Sequence, residues 1–202
     1  MRSKSRLFAP ALAAILLWAS APASAQVSIT LFAGYADSSG VENVTTSSNA
    51  DLKSAPTYSV ALGTVLDGSR ELQLYYSQQS TTLAPGGGAE PFDLTIRYLH
   101  IGGTVFIDRP ISQGFYAVGG VGVTQFSPGA SGYGDEVKPS INLGFGYYLP
   151  LGNHLALRAE ARGYLSLVNS SGGFLCSGGC VVVLKSDAFT QYEAKIGLMA
   201  RF

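Results

Sequence analysis

The chain has 202 residues, of which 47% are hydrophobic and only 13% are charged, with 25 glycines, 11 tyrosines and 10 phenylalanines. This composition excludes a disordered chain and a coiled coil, and it carries fewer charges than an average soluble domain. Lysine plus arginine and aspartate plus glutamate balance at 13 each. Because three of the bases lie in the first six residues, the remainder is mildly acidic and nucleic acid is not an expected partner.

The first 25 residues are typical of a secretory signal peptide. Three basic residues precede an apolar stretch from 7 to 19, and the segment 21–25 ends in a small-x-small cleavage site. We predict cleavage after Ala25, which leaves one exported domain over 26–202. No later stretch approaches the roughly 18 consecutive apolar residues that a spanning helix requires.

Export would place Cys176 and Cys180 in an oxidising compartment. Their close spacing in a segment rich in glycine and serine predicts a disulfide bond. A metal site is the alternative, but zinc takes about four ligands, and His100 and His154 lie far away in the sequence. We therefore predict neither a metal ion nor a cofactor.

The exported domain alternates between apolar residues and polar or small ones with a period of two, which predicts β-strands with one apolar face. The alternating segments are 27–36, 58–66, 71–77, 93–98, 140–149, 155–165 and 191–202. A glycine-rich segment at 115–126 adds an eighth strand whose phase the pattern leaves open. The sequence thus predicts eight strands, an even number.

The connections between these strands fall into two classes. Short connections are expected at 67–69, 107–113 and 150–153, and longer ones, rich in polar residues, at 37–56, 81–92, 127–139 and 167–188. Short turns at one end and long loops at the other are the layout of bacterial outer-membrane barrels. A soluble up-and-down barrel would show the same alternation, but with its apolar face inward.

The polar faces of the strands distinguish these two barrels. They carry too few charges for a soluble surface, whereas in a membrane barrel the apolar faces meet lipid and the charges project into the lumen. The expected lumenal charges are Glu71, Arg97, Arg158, Glu160, Arg162, Glu193, Lys195 and Arg201. An eight-stranded lumen is just wide enough to be filled by side chains, which favours a packed ionic plug over a narrow solute path.

Aromatic residues are expected at two levels, as membrane interfaces require. Those near the long loops are Tyr35, Tyr58, Tyr76 and Tyr192, and those near the short turns are Phe106, Tyr147 and Phe202. Ordinary sheet packing also favours aromatic residues in strands.

With its signal peptide, eight alternating strands and C-terminal Phe202, the chain resembles the small outer-membrane β-barrel family that includes the transmembrane domain of OmpA and OmpX-type proteins. The resemblance covers residues 26–202 and implies an all-β, eight-stranded antiparallel up-and-down transmembrane barrel in the cell outer membrane. It also implies that Tyr192 and Phe202, with the apolar residues that alternate between them, are read by the barrel assembly machinery. The implied surroundings are outer-membrane lipid and lipopolysaccharide, and the ligand of the loops is unknown.

Some barrels of this kind modify lipid A with a histidine and a serine. Here His100 is followed by glycines, and its parity with Tyr98 predicts that it faces lipid, while His154 is expected at the periplasmic end. We therefore expect no enzyme activity, with a lipid A-modifying enzyme ranked lowest. The favoured function is a structural or surface-interaction role, in envelope integrity or adhesion, and the alternative is a narrow channel for ions or small solutes.

Overall fold

A computed structural model describes residues 26–38, 41–43, 48–84, 90–107, 113–129, 134–168 and 188–202. No helix in these ranges is long and apolar enough to cross a membrane. The strands are β1 (Val27–Ser38), β2 (Val41–Asn43), β3 (Ser48–Leu52), β4 (Ala55–Val65), β5 (Arg70–Ala84), β6 (Phe92–Phe106), β7 (Gly114–Pro128), β8 (Glu136–Pro150), β9 (Leu155–Leu167) and β10 (Ala188–Arg201).

Eight of these strands close into an antiparallel barrel, as predicted. The strands β4 to β10 pair in chain order, β1 pairs with β4, and β10 returns to pair with β1 over Ser28–Ser38 opposite Gln191–Arg201. Each barrel strand therefore has two hydrogen-bonded neighbours, which leaves no open sheet edge in the barrel wall.

The strands β2 and β3 were not predicted, because the segment that contains them is rich in serine, threonine and asparagine and lacks apolar alternation. They form a hairpin in the long connection between β1 and β4, with Val41 opposite Ala50. The end of β3 pairs with the end of β5 through Leu52 opposite Leu83. The wall of the barrel is thereby extended beyond its rim on this side.

The three short connections and both described chain ends lie at the same end of the barrel. Phe202 donates its backbone N–H to Val27 O at 2.8 Å. In the first short turn, Asp67 Oδ1 accepts the backbone N–H groups of Ser69 at 2.9 Å and Arg70 at 3.0 Å. The hydrogen bond from the Arg70 side chain, with that from the Ser69 backbone, lowers the pKa of Asp67 to about 2. This turn is held by the Asp67 side chain together with the backbone hydrogen bond from Leu66 N–H to Arg70 O at 2.9 Å.

The barrel is apolar outside and polar inside, the arrangement expected of a membrane barrel and the reverse of a soluble one. Large apolar residues such as Leu31, Leu143 and Ile196 are 59–73% exposed on the outer face. Their polar neighbours in sequence are buried in the lumen. The phase of β7, which the sequence left open, places Tyr116, Val118, Thr124 and Phe126 in the lumen as well.

On β6 the sequence pattern predicts the wrong face for lipid. Leu94, Ile96 and Tyr98 were expected to face lipid but are at most 2% exposed inside the barrel. Arg97 was expected in the lumen and lies instead on the outer side of the wall. The physical reason is that the outer end of the lumen is filled by an apolar cluster, so hydrophobicity on β6 reports this cluster rather than lipid.

Phe106, at the other end of β6, was expected in the periplasmic aromatic belt and is also buried, at 2% exposure. Its ring packs against Tyr116 and Tyr148, with centroids 5.5 and 5.7 Å away. On the outer face at this end, Phe115 packs edge-on against Tyr147 at 5.0 Å. The lipid-facing aromatic pair here is therefore Phe115 with Tyr147.

Candidate functional site

The lumen brings together seven of the eight charged residues singled out in the sequence. Glu71 comes from β5, Arg158, Glu160 and Arg162 from β9, and Glu193, Lys195 and Arg201 from β10. Because alternate residues of a strand share a face, the two adjacent strands β9 and β10 supply six of them. The result is a layer of four cations and three carboxylates inside the barrel.

The centre of this layer is the ammonium group of Lys195, whose side chain is fully buried. Lys195 Nζ lies 3.0 Å from Glu193 Oε2 and 3.1 Å from Glu160 Oε1, and it donates a hydrogen bond to Tyr75 Oη. Glu160 Oε1 also accepts from Arg162 Nη2 at 2.8 Å. Opposite charges thus alternate along a chain of short contacts, which offsets the cost of removing them from water.

Glu193 is surrounded by hydroxyl groups contributed by several strands. Its Oε1 accepts from Thr57 Oγ1 at 2.7 Å, and its Oε2 accepts from Tyr75 Oη at 3.0 Å and from Tyr164 Oη. Ser59 and Ser77 add weaker contacts to Oε1 at 3.3 and 3.4 Å. This many donors hold the carboxylate in one position and offset the cost of burying it.

A second ionic group lies nearer the short turns. Glu71 contacts Arg158 Nη1 and Arg201 Nη2, each at 3.5 Å. Tyr116 connects this group to the first, because its hydroxyl accepts from Arg158 Nε at 3.2 Å and donates to Glu160 Oε2 at 3.1 Å. The guanidinium of Arg158 also lies 4.5 Å from the centre of the Tyr116 ring. The seven charged residues therefore form one connected network.

Apolar clusters pack against this network toward both ends of the lumen. The cluster toward the long connections includes Leu83, Leu94, Ile96, Phe126, Val168 and Phe189. The cluster toward the short turns consists of Phe106, Tyr116, Val118, Tyr148, Ala156 and Met199. Toward the short turns, charged and apolar side chains are packed together, since Arg201 lies 5.7 Å from the centre of the Tyr148 ring and Arg158 contacts Met199. Toward the long connections, the apolar cluster covers the charges.

The prediction that His100 faces lipid is wrong, because its side chain is buried in the lumen. Its Nε2 is 2.9 Å from Ser140 Oγ, and both side chains are buried. The pair forms because Gly122, opposite both residues in the register, carries no side chain between them. Sequence spacing gave no signal for it, since the two residues are on different strands. Nδ1 of His100 has no hydrogen-bond partner among the described residues.

The remaining predicted residues lie outside the lumen. On the outer side of the wall, Arg97 donates to Gln78 Oε1 at 3.2 Å and to Ser127 Oγ at 3.1 Å. Tyr192 and Phe202 are 60% and 74% exposed on the outer face.

His154 lies in the turn before β9, where its carbonyl oxygen accepts from the backbone N–H of Arg201. Cys176 and Cys180 lie outside the described residues, as does the predicted signal peptide. Among the described residues, no group of histidine, cysteine, aspartate or glutamate side chains is arranged to hold a metal ion.

The described fold is similar to those of known outer-membrane proteins. A family model described as outer membrane protein beta-barrel domain matches residues 9–202. Neisserial surface protein A (NspA) matches with a TM-score of 0.58 and 13% identity, over 87% of this chain and 97% of that one. OprG from Pseudomonas aeruginosa matches with a TM-score of 0.54 and 13% identity, over 89% of this chain and 96% of that one.

Ail, the attachment invasion locus protein of Yersinia pestis, solved in complex with the heparin analogue sucrose octasulfate, is a further structural match. Its TM-score is 0.51 at 14% identity, over 89% of this chain and 100% of that one. No curated protein matches this chain in sequence. At these identities the structural likeness shows a shared fold.

Proposed function

The chain belongs to the outer membrane protein beta-barrel domain family, and we propose that it is a closed barrel with a structural and surface-interaction role rather than a pore or an enzyme. It is an integral protein of the cell outer membrane, surrounded by outer-membrane lipid. In our proposal the four long connections face outward, and the barrel supports envelope integrity or adhesion through them.

The observation that supports a closed barrel is the filled lumen. The charges that could line a pore are paired with one another, as in the contacts of Lys195 with Glu160 and Glu193. The apolar cluster around Phe126 and Phe189, whose rings pack at 5.5 Å, covers them on the outer side. An ion crossing this barrel would have to displace both layers.

Conductance in planar bilayers tests this proposal against the narrow channel. The refolded wild-type barrel is expected to give no steady discrete openings. A variant that opens the outer cluster, Phe126→Ala with Phe189→Ala, tests whether the ionic layer alone is sufficient to block ions. Steady openings in the wild type would overturn the closed barrel and favour a channel.

Sensitivity of cells to detergent with a chelator tests the envelope role. A strain without the protein is expected to be more sensitive, and the wild-type barrel should restore resistance. A barrel in which 41–52 is replaced by a short flexible linker separates the two roles. If it restores resistance, the barrel alone supports the envelope; if it does not, this connection is required. Unchanged resistance in the strain without the protein would contradict a role in envelope integrity.

We propose that the exposed residues at the end of the chain are recognised during assembly of the barrel. Tyr192 of β10 and Phe202, which directly follows this strand, are both exposed on the outer face, where the assembly machinery would bind them. Phe202→Ala is expected to lower the fraction of protein that shifts on a detergent gel after boiling, since that shift reports folded barrel. Phe115→Ala is the matched control, because Phe115 is an outward aromatic near the same end, at 57% exposure. An equal loss in both variants would contradict a specific signal.

A lipid A-modifying activity finds no support in the position of the His100–Ser140 pair. Both side chains are at most 4% exposed inside the lumen, whereas lipid lies on the other side of the wall. We propose that the pair has a packing role. The lipid A masses of cells with and without the protein are therefore expected to be identical, and a lost or added acyl chain would overturn this assignment.

Cys176 and Cys180 are proposed to form a disulfide in the last long connection. The mass of the purified protein after alkylation is expected to rise only when a reductant is added first. A rise of two alkyl groups without reductant would show two free thiols.

A further inference from the structure

A cleft runs along the outer face of the barrel, where the middle of β9 presents only small residues to the membrane. Its three successive outward positions are Ala159, Ala161 and Gly163. On the opposite side of the barrel, every outward position over 72–76 and 99–105 except Gly103 carries a large side chain, and these are Leu72, Leu74, Tyr76, Leu99, Ile101 and Val105. The outer wall is therefore indented along one strand.

Large residues of the neighbouring strands form the walls of this cleft. On β8, Leu143, Phe145 and Tyr147 lie directly opposite the three small residues of β9 in the register. On the other side, Tyr192 lies opposite Gly163 and Ile196 opposite Ala159. Most of these wall residues are more than half exposed, so their side chains project outward while the floor stays low.

Midway along the cleft the floor is two strands wide. Ala194 of β10 lies opposite Ala161, and on its other side it lies opposite Tyr35 of β1. The cleft comprises two adjoining cavities of about 960 and 840 Å³, which share Tyr35, Phe145, Ala161 and Ala194 in their linings. The two cavities therefore form one continuous cleft.

Gly163 shows that the backbone does not require the small floor. A Cβ built on Gly163 would approach no atom closer than 3.7 Å, which is ordinary van der Waals contact. By contrast, glycines that face the lumen, such as Gly144 and Gly197, have no room for a Cβ. The packing of the wall therefore does not require glycine at 163. Because Gly163 has no side chain, the cleft stays open at this position.

We propose that this cleft binds one acyl chain of lipopolysaccharide from the outer leaflet. The cleft lies within the lipid-facing surface of an outer-membrane protein, and its lining runs along β10 from Thr190 to Ile196. The six steps between these seven residues span about 20 Å, which at the usual tilt of ~45° is about 15 Å of depth, half of the ~30 Å hydrocarbon core. This stretch begins near the long-connection end of β10 and reaches the middle of the strand at Ile196, so this part of the cleft lies at the depth of the outer leaflet. Beyond it, the cleft continues to Tyr147 and Phe115 at the short-turn end.

A second copy of the chain fits this surface less well than an acyl chain does. A symmetric dimer places the same surface on both partners, so two clefts would face each other. The walls would then meet while the floors around Ala161 and Ala194 stayed apart, which leaves an unfilled space. A flexible chain, by contrast, fills such an indentation without a matching ridge.

Native mass spectrometry of barrel extracted from outer membranes in mild detergent tests this site. Wild-type protein is expected to retain one lipopolysaccharide molecule. Ala194→Phe, which raises the floor of the cleft, is expected to lose it. Ala200→Phe is the matched control, because Ala200 also faces outward on β10 but lies outside the cleft, and it is expected to retain the lipid.

Three results would overturn the site. They are a wild type that releases all lipid, equal retention in Ala194→Phe and Ala200→Phe, and an adduct with the mass of a phospholipid, which would reassign the occupant. The shift on boiling verifies that each variant is folded. If Ala194→Phe does not fold, Gly163→Leu fills the same cleft from β9 and is measured in its place.

Discussion

The ring of Phe32 occupies the space that a Cβ on Gly197 would take. The two residues lie opposite each other where β1 meets β10, the seam that closes the barrel. A Cβ built on Gly197 would overlap the Phe32 ring, and the Lys195 ammonium lies 5.1 Å from the centre of that ring. The aromatic ring covers the backbone of the last strand where glycine leaves it bare.

Gly197→Ala is therefore expected to destabilise the barrel by about 1–3 kcal/mol, the usual cost of overpacking. The free energy of unfolding in lipid vesicles, followed by denaturant titration, measures it. Gly163→Ala is the control, since its Cβ has room, and we expect a change within about 0.5 kcal/mol. Combining Gly197→Ala with Phe32→Leu should recover part of the loss. Equal effects at the two glycines would contradict this packing.

Lys195→Met is expected to cost about 3–5 kcal/mol of unfolding free energy, because it leaves the buried Glu193 without a cation. Glu193→Gln is expected to cost less, since Lys195 keeps its contact with Glu160 at 3.1 Å. The double variant should be more stable than the sum of the two single changes implies. Strict additivity in the same unfolding assay would mean that the two groups are not coupled.

Ile196→Arg places a charge at mid-strand on the lipid face and is expected to cost about 2–4 kcal/mol. Leu157→Arg, three residues into β9 from the short-turn end, is expected to cost only about 0–1 kcal/mol, because charges near the interface are tolerated. Unfolding in vesicles measures both. The opposite order would mean that the barrel sits at a different depth in the membrane.

Asp67 is expected to titrate with a pKa of about 2, below the ordinary value of an aspartate, because Arg70 and the Ser69 backbone hydrogen-bond to its ionised form. A group whose pKa is lowered on folding contributes stability above its unfolded pKa and loses that contribution as the pH falls through the folded one. Carboxyl chemical shifts between pH 1 and 5 measure this titration. Arg70→Ala should move the pKa of Asp67 back toward its ordinary value, and an unchanged pKa would contradict the side-chain contact.

Most of the barrel could be predicted from the sequence because lipid imposes a strict alternation. On β1, β4, β5, β8, β9 and β10 the alternating apolar residues that the sequence pattern assigns to the lipid face do lie on the outer side, and the charges of β9 and β10 all face the lumen. The long polar connections then gave the order and direction of the strands. These features depend only on local pattern, which a single sequence contains.

The features that the sequence did not predict depend on contacts between residues of different strands. Leu94 and Ile96 look like lipid-facing residues, but they fill the outer cluster with Phe126 and Phe189, which come from other strands. The pairing of His100 with Ser140 depends on the register of three strands, which the spacing along the chain does not contain. The hairpin of β2 and β3 is stabilised by its pairing with β5, and its own sequence carries no strand pattern.

The concentration of charge on β9 and β10 also determines the register in which these strands pair. A slip of one residue between strands turns every side chain to the opposite face, and on β10 it would move Glu193 and Lys195 into hydrocarbon while bringing Ile196 and Leu198 inside. Lys195 would then lose its contact with Glu160 of β9, and Glu193 would lose its hydrogen bonds from Thr57, Tyr75 and Tyr164. The free-energy cost of closing the barrel in the wrong register is therefore much higher than it would be with an uncharged lumen. This cost selects one alignment of the last strand.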